Sequence, residues 1–354
     1  MILITPDYYR DFKCTGGECP DNCCIGWEID IDSKTYDKYM NFTGTLAQKL
    51  KENITVSDDG SRCFKLDHEE RCPFLNQDNL CEIILEAGED MLCEICDYHP
   101  RFHNCFGNLR ETGVGISCIK AAEMLVNKTD KTTFITNEIN EPAIEIDYDK
   151  SVMDFFVEVR QMLINALQDR SRSFRDRLLD ALFTAGKIQS EFDDGIVADV
   201  KLHDFIPGFA NEKADYSVYK DILAELIPLN DEWTELTKHL SDDCFKKAGE
   251  LMSENEVIAE QIMVYYIFRH FLSGVYDYDV VSRVKFAAYC TLASFAYTTV
   301  CDKSECFTDK IAYSACLISK EIEYCSENID MILDIAWTES CMNATEIFKL
   351  LQKC

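Results

Sequence analysis

Proline and glycine are scarce in this chain, with 7 prolines and 14 glycines among 354 residues. Because both residues interrupt regular elements, their scarcity favours long helices, and we expect a mainly α protein. Long apolar runs are also missing. No stretch reaches about 18 uncharged apolar residues, so we expect no membrane span. The first residues, MILITPDYYRDF, lack the basic start and apolar run of a secretory signal, and we expect a cytoplasmic protein.

Basic residues are also scarce relative to acidic ones. The chain has 35 Lys and Arg against 64 Asp and Glu, a formal net charge of −29. A phosphate backbone would be repelled by this surface, so we expect no nucleic-acid partner. Two interpretations of the acidic excess stay open. It is a solvated face that keeps the protein apart from its neighbours, or it attracts a cationic target such as a lysine side chain.

Several common catalytic signatures are absent as well. There is no P-loop, and no Ser/His/Asp nucleophile signature stands out. Gly113 and Gly115 lack the third glycine and the βαβ setting of a dinucleotide-binding loop. These absences remove the most frequent nucleotide-binding and hydrolase classes from consideration.

Cysteine, by contrast, is abundant: 19 residues, eleven of them within the first 118. Most of these eleven lie in two blocks, FKCTGGECPDNCCIGWEIDID (12–32) and CPFLNQDNLCEIILEAGEDMLCEICDYHPRF (72–102). In a reducing compartment, a cysteine cluster is more often metal-binding or catalytic than a disulfide framework. We therefore interpret this region as a metal or iron–sulfur module.

The spacing of these cysteines supports a metal centre. It reads C-x4-C-x3-C-C in the first block and C-x8-C-x11-C-x2-C in the second. Cys93 and Cys96 have the two-residue separation with which one turn of chain chelates a single centre. Four thiolates satisfy either a tetrahedral zinc or a [4Fe–4S] cluster, and sequence does not separate the two. The surplus leaves room for a second metal, a redox pair or core cysteines.

Local patterns predict short elements in the cysteine-rich half. The alternation of apolar and acidic residues over 27–32 predicts a strand, and Ser33 is the expected N-cap of a helix through Met40. The remaining expectations are a loop at 53–62, a short strand at 63–66, helices at 81–85 and 91–98 interrupted at Gly88, and a helix at 114–125.

We predict three parts: a cysteine-rich metal-binding module (1–126), a linker (127–150) and an all-α helical domain (151–354). Residues 152–167 show one apolar helical face. Residues 256–275 are apolar nearly all round, which predicts a central helix packed by 282–300 and 309–325. We interpret the scattered C-terminal cysteines as small buried hydrophobes. They are Cys244, Cys290, Cys301, Cys306, Cys316, Cys325, Cys341 and Cys354.

The two cysteine blocks, followed by FGNLRETGVGISCIKAAEML (106–125), resemble the N-terminal half of the flagellin lysine-N-methylases, a FliB-like family. CPFL…C is also similar to the YkgJ-type cysteine-cluster proteins, which chelate zinc or iron. The segment with Tyr265, Tyr266, Phe268 and Arg269 resembles the helical second half of the methylase family. The resemblance is dense over residues 12–125 and looser beyond.

This resemblance implies a bacterial, cytoplasmic methyltransferase that modifies lysine ε-amines of flagellin or another lysine-bearing protein. S-adenosylmethionine would be the methyl donor, and a [4Fe–4S] cluster, or zinc as the alternative, would be bound. The metal-ligating cysteines that it implies are Cys14, Cys19, Cys23, Cys24, Cys72, Cys81, Cys93, Cys96 and Cys118. One departure is that Ile119 follows Cys118 where the family has proline.

Two other classes of function compete with this one. The main alternative is a non-catalytic zinc- or iron-chelating protein of the YkgJ type, and the other is a redox regulator. For methyl transfer, a base near the metal is expected to deprotonate the lysine, because an ammonium does not attack a methyl group. The candidates beside Cys93 and Cys96 are Glu89, Asp90, Asp97, Tyr98 and His99.

Overall fold

The computed structural model describes residues 1–58, 60–193, 200–207 and 214–351. The chain forms two compact units. The first, here called the cysteine unit, comprises Asp11–Phe102 together with Cys118–Lys120. The second, the helical unit, comprises Met1–Arg10, His103–Ser117 and Ala121–Cys354. The predicted division at 127–150 stays a prediction.

The described residues form six strands and fifteen α-helices, so the expectation of a mainly α protein is confirmed. The strands are β1 (Ile2–Pro6), β2 (Ile54–Val56), β3 (Arg62–Phe64), β4 (Arg101–Phe106), β5 (Leu109–Val114) and β6 (Phe134–Glu138). The helices are α1 (Ser33–Asn41), α2 (Ala47–Glu52), α3 (Glu82–Ala87), α4 (Glu94–Tyr98), α5 (Ile119–Val126), α6 (Lys150–Leu167), α7 (Phe174–Asp193), α8 (Ser217–Glu225), α9 (Asp231–His239), α10 (Asp242–Glu254), α11 (Glu256–His270), α12 (Val281–Thr298), α13 (Phe307–Glu323), α14 (Ser326–Thr338) and α15 (Ala344–Leu350).

The cysteine unit contains short helices and one small hairpin. β2 pairs antiparallel with β3, so the predicted loop at 53–62 is wrong for its first residues. The predicted strand at 27–32 is also wrong, because this segment makes only a single bridge, between Asp30 and Cys63. Its alternation instead reflects burial, since Ile29 and Ile31 both enter the core.

Asp32, rather than the predicted Ser33, caps α1. Its carboxylate accepts from the Thr35 backbone N–H at 2.8 Å. The other carboxylate oxygen accepts from the backbone N–H of Glu94, in the first turn of α4, at 3.0 Å. These N–H groups favour the ionised form, so the pKa of Asp32 is lowered even though burial opposes this. One side chain thus satisfies the exposed amides of two helix starts.

The helical unit contains a mixed sheet in the order β4-β5-β1-β6. β1 runs parallel to β5, with Ile2 opposite Leu109, and antiparallel to β6, with Ile2 opposite Glu138. Two strands from distant parts of the sequence therefore enclose the N-terminal strand. Residues 127–150, the predicted linker, contain β6 of this sheet.

The helices pack around α12, which contacts α7, α10, α11, α13 and α14. Every residue of α12 from Ser282 to Thr298 is buried. The predicted helix at 256–275 is confirmed for α11, which is buried on all sides from Ala259 to Phe268. Its last residues, Phe271–Val275, form a 3-10 helix instead. No helix in the described ranges is long and apolar enough to cross a membrane.

The C-terminal cysteines mostly fit their predicted role. Cys244, Cys290, Cys301, Cys316 and Cys325 are buried, as expected of small core residues. Cys306 is exposed and Cys341 is half-buried, so the prediction is wrong for Cys306. Cys354 lies outside the described residues.

Candidate functional site

The first candidate site is a group of five thiols in the core of the cysteine unit, here called the thiol core: Cys24, Cys72, Cys81, Cys93 and Cys96. Cys72 and Cys93 are fully buried members of this core, and the other three pack against it. The backbone N–H of Cys72 donates to the Cys24 carbonyl at 2.8 Å, which joins the two cysteine blocks directly. Five of the nine predicted ligands are therefore brought together.

Cys93 and Cys96 share a hydrogen bond between their sulfur atoms. The Cys96 thiol and the Cys96 backbone N–H both act on the Cys93 sulfur, and the pKa of Cys93 is lowered despite burial. The same shared proton, with burial, raises the pKa of Cys96 far above its ordinary value. The hydrogen bond from Cys96 therefore stabilises negative charge on the Cys93 sulfur.

Helix starts supply further stabilisation of negative sulfur. Cys81 is the N-cap of α3, and Cys93 is the N-cap of α4. The backbone N–H groups of Ile83 and Ile84 act to lower the pKa of Cys81, although burial outweighs them and the net shift is upward. Burial likewise raises the pKa of Cys72 to about 11. Free amide groups at a helix start stabilise a nearby anion. The positions of Cys81 and Cys93 therefore favour their thiolate forms when a metal cation is bound.

Tyr39 closes one side of the thiol core. Its ring is fully buried and stacks on Phe64 at a centroid distance of 5.9 Å. Its hydroxyl donates to the Met91 carbonyl at 2.8 Å. Burial raises the pKa of Tyr39, and Cys93 and Cys96 raise it further, so the phenol stays neutral beside the sulfurs. The phenol therefore adds no negative charge to this part of the core.

The other four predicted ligands lie outside the thiol core. Cys14 is exposed and accepts the Gly16 N–H at 3.3 Å, and Cys19 donates to the Asp21 carbonyl at 3.2 Å. Cys23 interacts with the thiol of Cys24 and with His99, and its pKa is raised to about 12, first by that thiol and then by burial. Cys118 is half-buried, directly before α5.

The sulfurs of the thiol core do not form a metal-binding arrangement in this structure. Over residues 1–58, 60–193, 200–207 and 214–351, no three His, Cys, Asp or Glu side chains meet in positions that could hold a metal ion. The donors nevertheless suit a soft metal, because buried sulfurs with amide donors are the ligands that zinc and iron–sulfur clusters take. A metal would take these sulfurs as thiolates.

The second candidate site is a buried carboxylate in the helical unit, here called the Glu323 network. The Glu323 side chain is 0% exposed. It accepts from the Tyr265 hydroxyl at 2.9 Å, from Nε of Arg269 at 3.0 Å, from Nε2 of His270 at 2.5 Å and from the Ser319 hydroxyl. Burial would raise its pKa, but Arg269 and the His270 hydrogen bond prevail and the pKa is lowered. Glu323 is therefore ionised at neutral pH.

His270 is the group of this network that is suited to proton transfer. Burial lowers the pKa of His270, although Glu323 opposes that shift, so the ring is neutral at pH 7. An ionised carboxylate only accepts, so Nε2 carries the hydrogen and Nδ1 keeps a lone pair. The ring lies against Phe286 at 5.1 Å and Tyr266 at 6.2 Å, and its side chain is 16% exposed. The Glu323 carboxylate therefore holds a neutral imidazole in a fixed orientation.

The network also fixes residues 116–117. The Tyr265 hydroxyl accepts the Ile116 N–H at 3.2 Å and a hydrogen bond from Arg269 at 2.6 Å. The Ser117 hydroxyl donates to Tyr324 at 3.1 Å, and the thiol of Cys316 donates to the Ser117 carbonyl at 3.1 Å. This turn is therefore held by α11 and by the end of α13.

The sequence analysis did not predict His270 or Glu323. The predicted bases lie in the cysteine unit, where His99 is beside Cys23. A signal was present in the sequence: Arg269 and His270 end a segment that is otherwise almost wholly apolar. Charged groups at the end of a buried helix need a partner, and the partner lies on α13, far along the chain.

The two sites define a class of protein: a mainly helical protein with a thiol-rich unit and a buried His–Glu pair. Residues 160–350 match the FliB lysine N-methylase C-terminal domain, which is more than half of the chain. The chain therefore belongs to the FliB lysine N-methylase family. The matched region contains His270 and Glu323.

Curated relatives match at low identity. The lysine-N-methylase of Salmonella choleraesuis is 26% identical over 135 residues, which is 37% of this chain and 34% of that protein. The lysine-N-methylase of Salmonella typhimurium gives the same identity and coverage. The flagellar biosynthetic protein FliU of Salmonella muenchen is 27% identical over 141 residues, which is 37% of this chain and 80% of that protein.

The match thus spans about a third of the length of the two lysine-N-methylases. No solved structure matches the chain.

Proposed function

We propose that this protein is a protein-lysine N-methyltransferase that acts on flagellin in the cytoplasm, with S-adenosylmethionine as methyl donor. The observation that carries the proposal is the match of residues 160–350 to the FliB lysine N-methylase C-terminal domain. Two of the relatives carry the name lysine-N-methylase, and a third is a flagellar biosynthetic protein. These names support lysine as the modified side chain and flagellin as the substrate.

The reaction needs a deprotonated lysine. The nitrogen lone pair forms the new N–C bond while the C–S bond of the donor breaks and its electrons go to sulfur. At pH 7 the lysine lies about 3.4 units below its pKa of ~10.4, so deprotonation costs roughly 4.6 kcal/mol. A base and a partly dry site reduce this cost.

We assign the base role to His270. Its neutral ring accepts the lysine proton at Nδ1, and the resulting imidazolium is stabilised by Glu323, with which Nε2 already shares a hydrogen bond of 2.5 Å. Arg269 opposes that protonation, because it places a second cation beside the same carboxylate at 3.0 Å. His270 therefore releases its proton again readily, as a base that turns over must.

The thiol core is the proposed metal centre, with Cys24, Cys72, Cys81, Cys93 and Cys96 as the ligand candidates and a [4Fe–4S] cluster ahead of zinc. A thiolate-bound cluster supplies redox or Lewis-acid chemistry and also cross-links a small core. The support is that these five thiols pack into one core, two of them at helix starts. The hydrogen bond from Cys96 favours the ionised form of Cys93.

The test is a methylation assay with protein purified without oxygen. Iron, zinc and acid-labile sulfide are measured first, and the protein is then incubated with flagellin and isotope-labelled S-adenosylmethionine. We expect labelled methyl groups on flagellin lysines. If the metal-loaded protein labels no lysine, the methyltransferase proposal is refuted, and zinc without sulfide would favour the chelating alternative.

His270→Gln tests the base assignment. General-base catalysis contributes roughly a hundredfold to ten-thousandfold, so the variant should lose activity on that scale while still binding the donor. It should also lose the acidic limb of the pH–rate profile. His239→Gln, which changes an exposed histidine, is the matched control. A His270→Gln enzyme with the activity of the control contradicts the assignment.

A further inference from the structure

A half-exposed aromatic cluster with a carboxylate lies in the helical unit, built from the end of β4, residues 147–148 and Tyr276. We call it the tyrosine–aspartate patch: Phe106, Asp147, Tyr148 and Tyr276. The rings of Tyr148 and Tyr276 have a centroid distance of 5.3 Å and an interplanar angle of 79°. Phe106 lies 6.3 Å from the ring of Tyr276. Phe106 is buried, whereas Tyr276 is 51% exposed, so the patch has an apolar floor and an open side.

The backbone around the patch is held in place. Phe106 ends β4, and Gly107 turns the chain with a φ of 59°, a conformation that favours glycine. The Gly107 carbonyl accepts the Ile144 N–H at 3.0 Å, so residues 144–148 run beside this turn. The hydroxyl of Tyr148 lies 3.8 Å from the position that a Cβ on Gly107 would occupy. The segments that carry Phe106 and Tyr148 are therefore already held in place by backbone contacts.

The local field of the patch favours a cation. Asp147 is exposed and acts on both phenols: the pKa of each is raised, first by burial, with Asp147 adding to the shift. Asp147 also directly precedes Tyr148 in the chain, which places its charge at this patch. The net charge of −29 adds a long-range attraction for positive groups.

Elsewhere the protein covers aromatic faces with its own cations. Arg62 lies 4.3 Å from the ring centroid of Tyr36, and Arg160 lies 5.4 Å from that of Phe268. Within the described ranges, no lysine or arginine takes the corresponding position on Tyr148 or Tyr276. The patch therefore offers π-faces and a carboxylate to a cation from outside the chain.

We propose that Tyr148, Tyr276 and Asp147 bind a methylated ammonium group of a lysine side chain. Aromatic faces attract such cations, and the attraction is worth about 0.5–2 kcal/mol per contact. Methyl groups spread the charge and weaken hydration, which favours contact with rings over contact with water. The patch would hold a modified lysine of the protein substrate or product. Binding of the methylated ammonium group is measurable without a methyl donor. A negative binding result therefore leaves the proposed methyltransferase function standing, and a negative methylation assay leaves the proposed binding site standing.

The experiment uses the full chain and two small probes. N-acetyl-trimethyllysine amide is titrated against the protein, and its neutral carbon isostere, with a tert-butyl group in place of trimethylammonium, is titrated in parallel. We expect saturable binding of the cation only, followed by NMR shifts of the tyrosine rings. Equal binding of both probes, or no saturable binding of the cation, would overturn the proposal.

Variants locate the binding. Tyr276→Leu removes one ring and should weaken binding about threefold to thirtyfold, whereas Tyr276→Phe keeps the ring and most of the affinity. Asp147→Asn should weaken binding of the cation several-fold and more strongly at low salt. The matched controls are Tyr278→Leu, where the tyrosine is 48% exposed, and Glu145→Gln, which removes an equal charge nearby. If the controls lose as much affinity as the test variants, the patch is not the site; thermal melting verifies that each variant is folded.

Discussion

Replacing Glu323 by glutamine should strongly destabilise the helical unit. The substitution keeps the shape but removes the negative charge that faces Arg269, whose side chain is only 13% exposed. Breaking a buried ion pair from one side costs about 3–5 kcal/mol, because the remaining charge stays buried without an opposite charge beside it. The geometry adds a second cost. The groups around Glu323, including Tyr265 and His270, donate, so a glutamine amide N–H would face a donor.

The effect should depend on pH with a definite sign. The folded state lowers the pKa of Glu323 below its ordinary value of 4.5. The carboxylate therefore contributes stability above the unfolded pKa, and that contribution disappears as pH falls through the folded pKa. The difference in free energy of unfolding between wild type and Glu323→Gln should be largest near pH 7 and shrink below about pH 4.

Urea unfolding followed by far-ultraviolet circular dichroism at several pH values measures this difference. Glu235→Gln is the matched control, because Glu235 forms an exposed pair with Lys238 at 2.6 Å. Exposed pairs contribute about 0–1 kcal/mol, so this control should stay close to wild type. The prediction is refuted if Glu323→Gln lowers the free energy of unfolding no more than Glu235→Gln does, or if that loss does not shrink below about pH 4.

Three further predictions concern the rest of the chain. Cys93→Ser with Cys96→Ser should abolish metal loading in elemental analysis, whereas Cys290→Ser should leave it intact; full metal content in the double variant would remove the pair from the ligand set. Asp32→Ala should lower the free energy of unfolding by about 1–3 kcal/mol, since two capping bonds are lost, and an unchanged urea midpoint would refute that role. Burial raises the pKa of Glu321 to about 7. Burial of Glu321 therefore lowers the free energy of unfolding increasingly as pH rises from about 4.5 to 7. A free energy of unfolding from hydrogen exchange that is constant over this range would contradict the shift.

Patterns that depend on burial were predictable from the sequence. The apolar face over 152–167 became α6, and the all-apolar segment at 256–275 is buried continuously along α11. Periodicity succeeds here because a helix satisfies its backbone hydrogen bonds internally, and only its covered faces remain to be predicted. At residues 27–32 the same reasoning found the burial of Ile29 and Ile31 but not the conformation, because a strand needs a neighbouring strand that local sequence does not reveal.

The candidate sites show the same division. Cysteine density and the separation of Cys93 from Cys96 pointed to the region of the thiol core, whose role as a metal site stays a prediction. Only the structure shows that Cys24 lies beside Cys72, because these residues are far apart in the sequence. The Glu323 network joins α11 to α13 and was not predicted, since pairing between distant helices leaves no spacing to recognise. Ser33 and Asp32 are both good capping residues, and only the structure shows that Asp32 is used.

The position of β1 in its sheet sets an order for synthesis of the protein. β1 leaves the ribosome before β5 and β6, yet it lies between them, and they are translated only after the whole run Asp11–Phe102. The sheet therefore cannot close until the cysteine-rich segment has emerged, and that segment has time to fold with the first strand still unpaired. The segment that contains the thiol core is therefore fully synthesised before closure of the sheet joins the strands on either side of it.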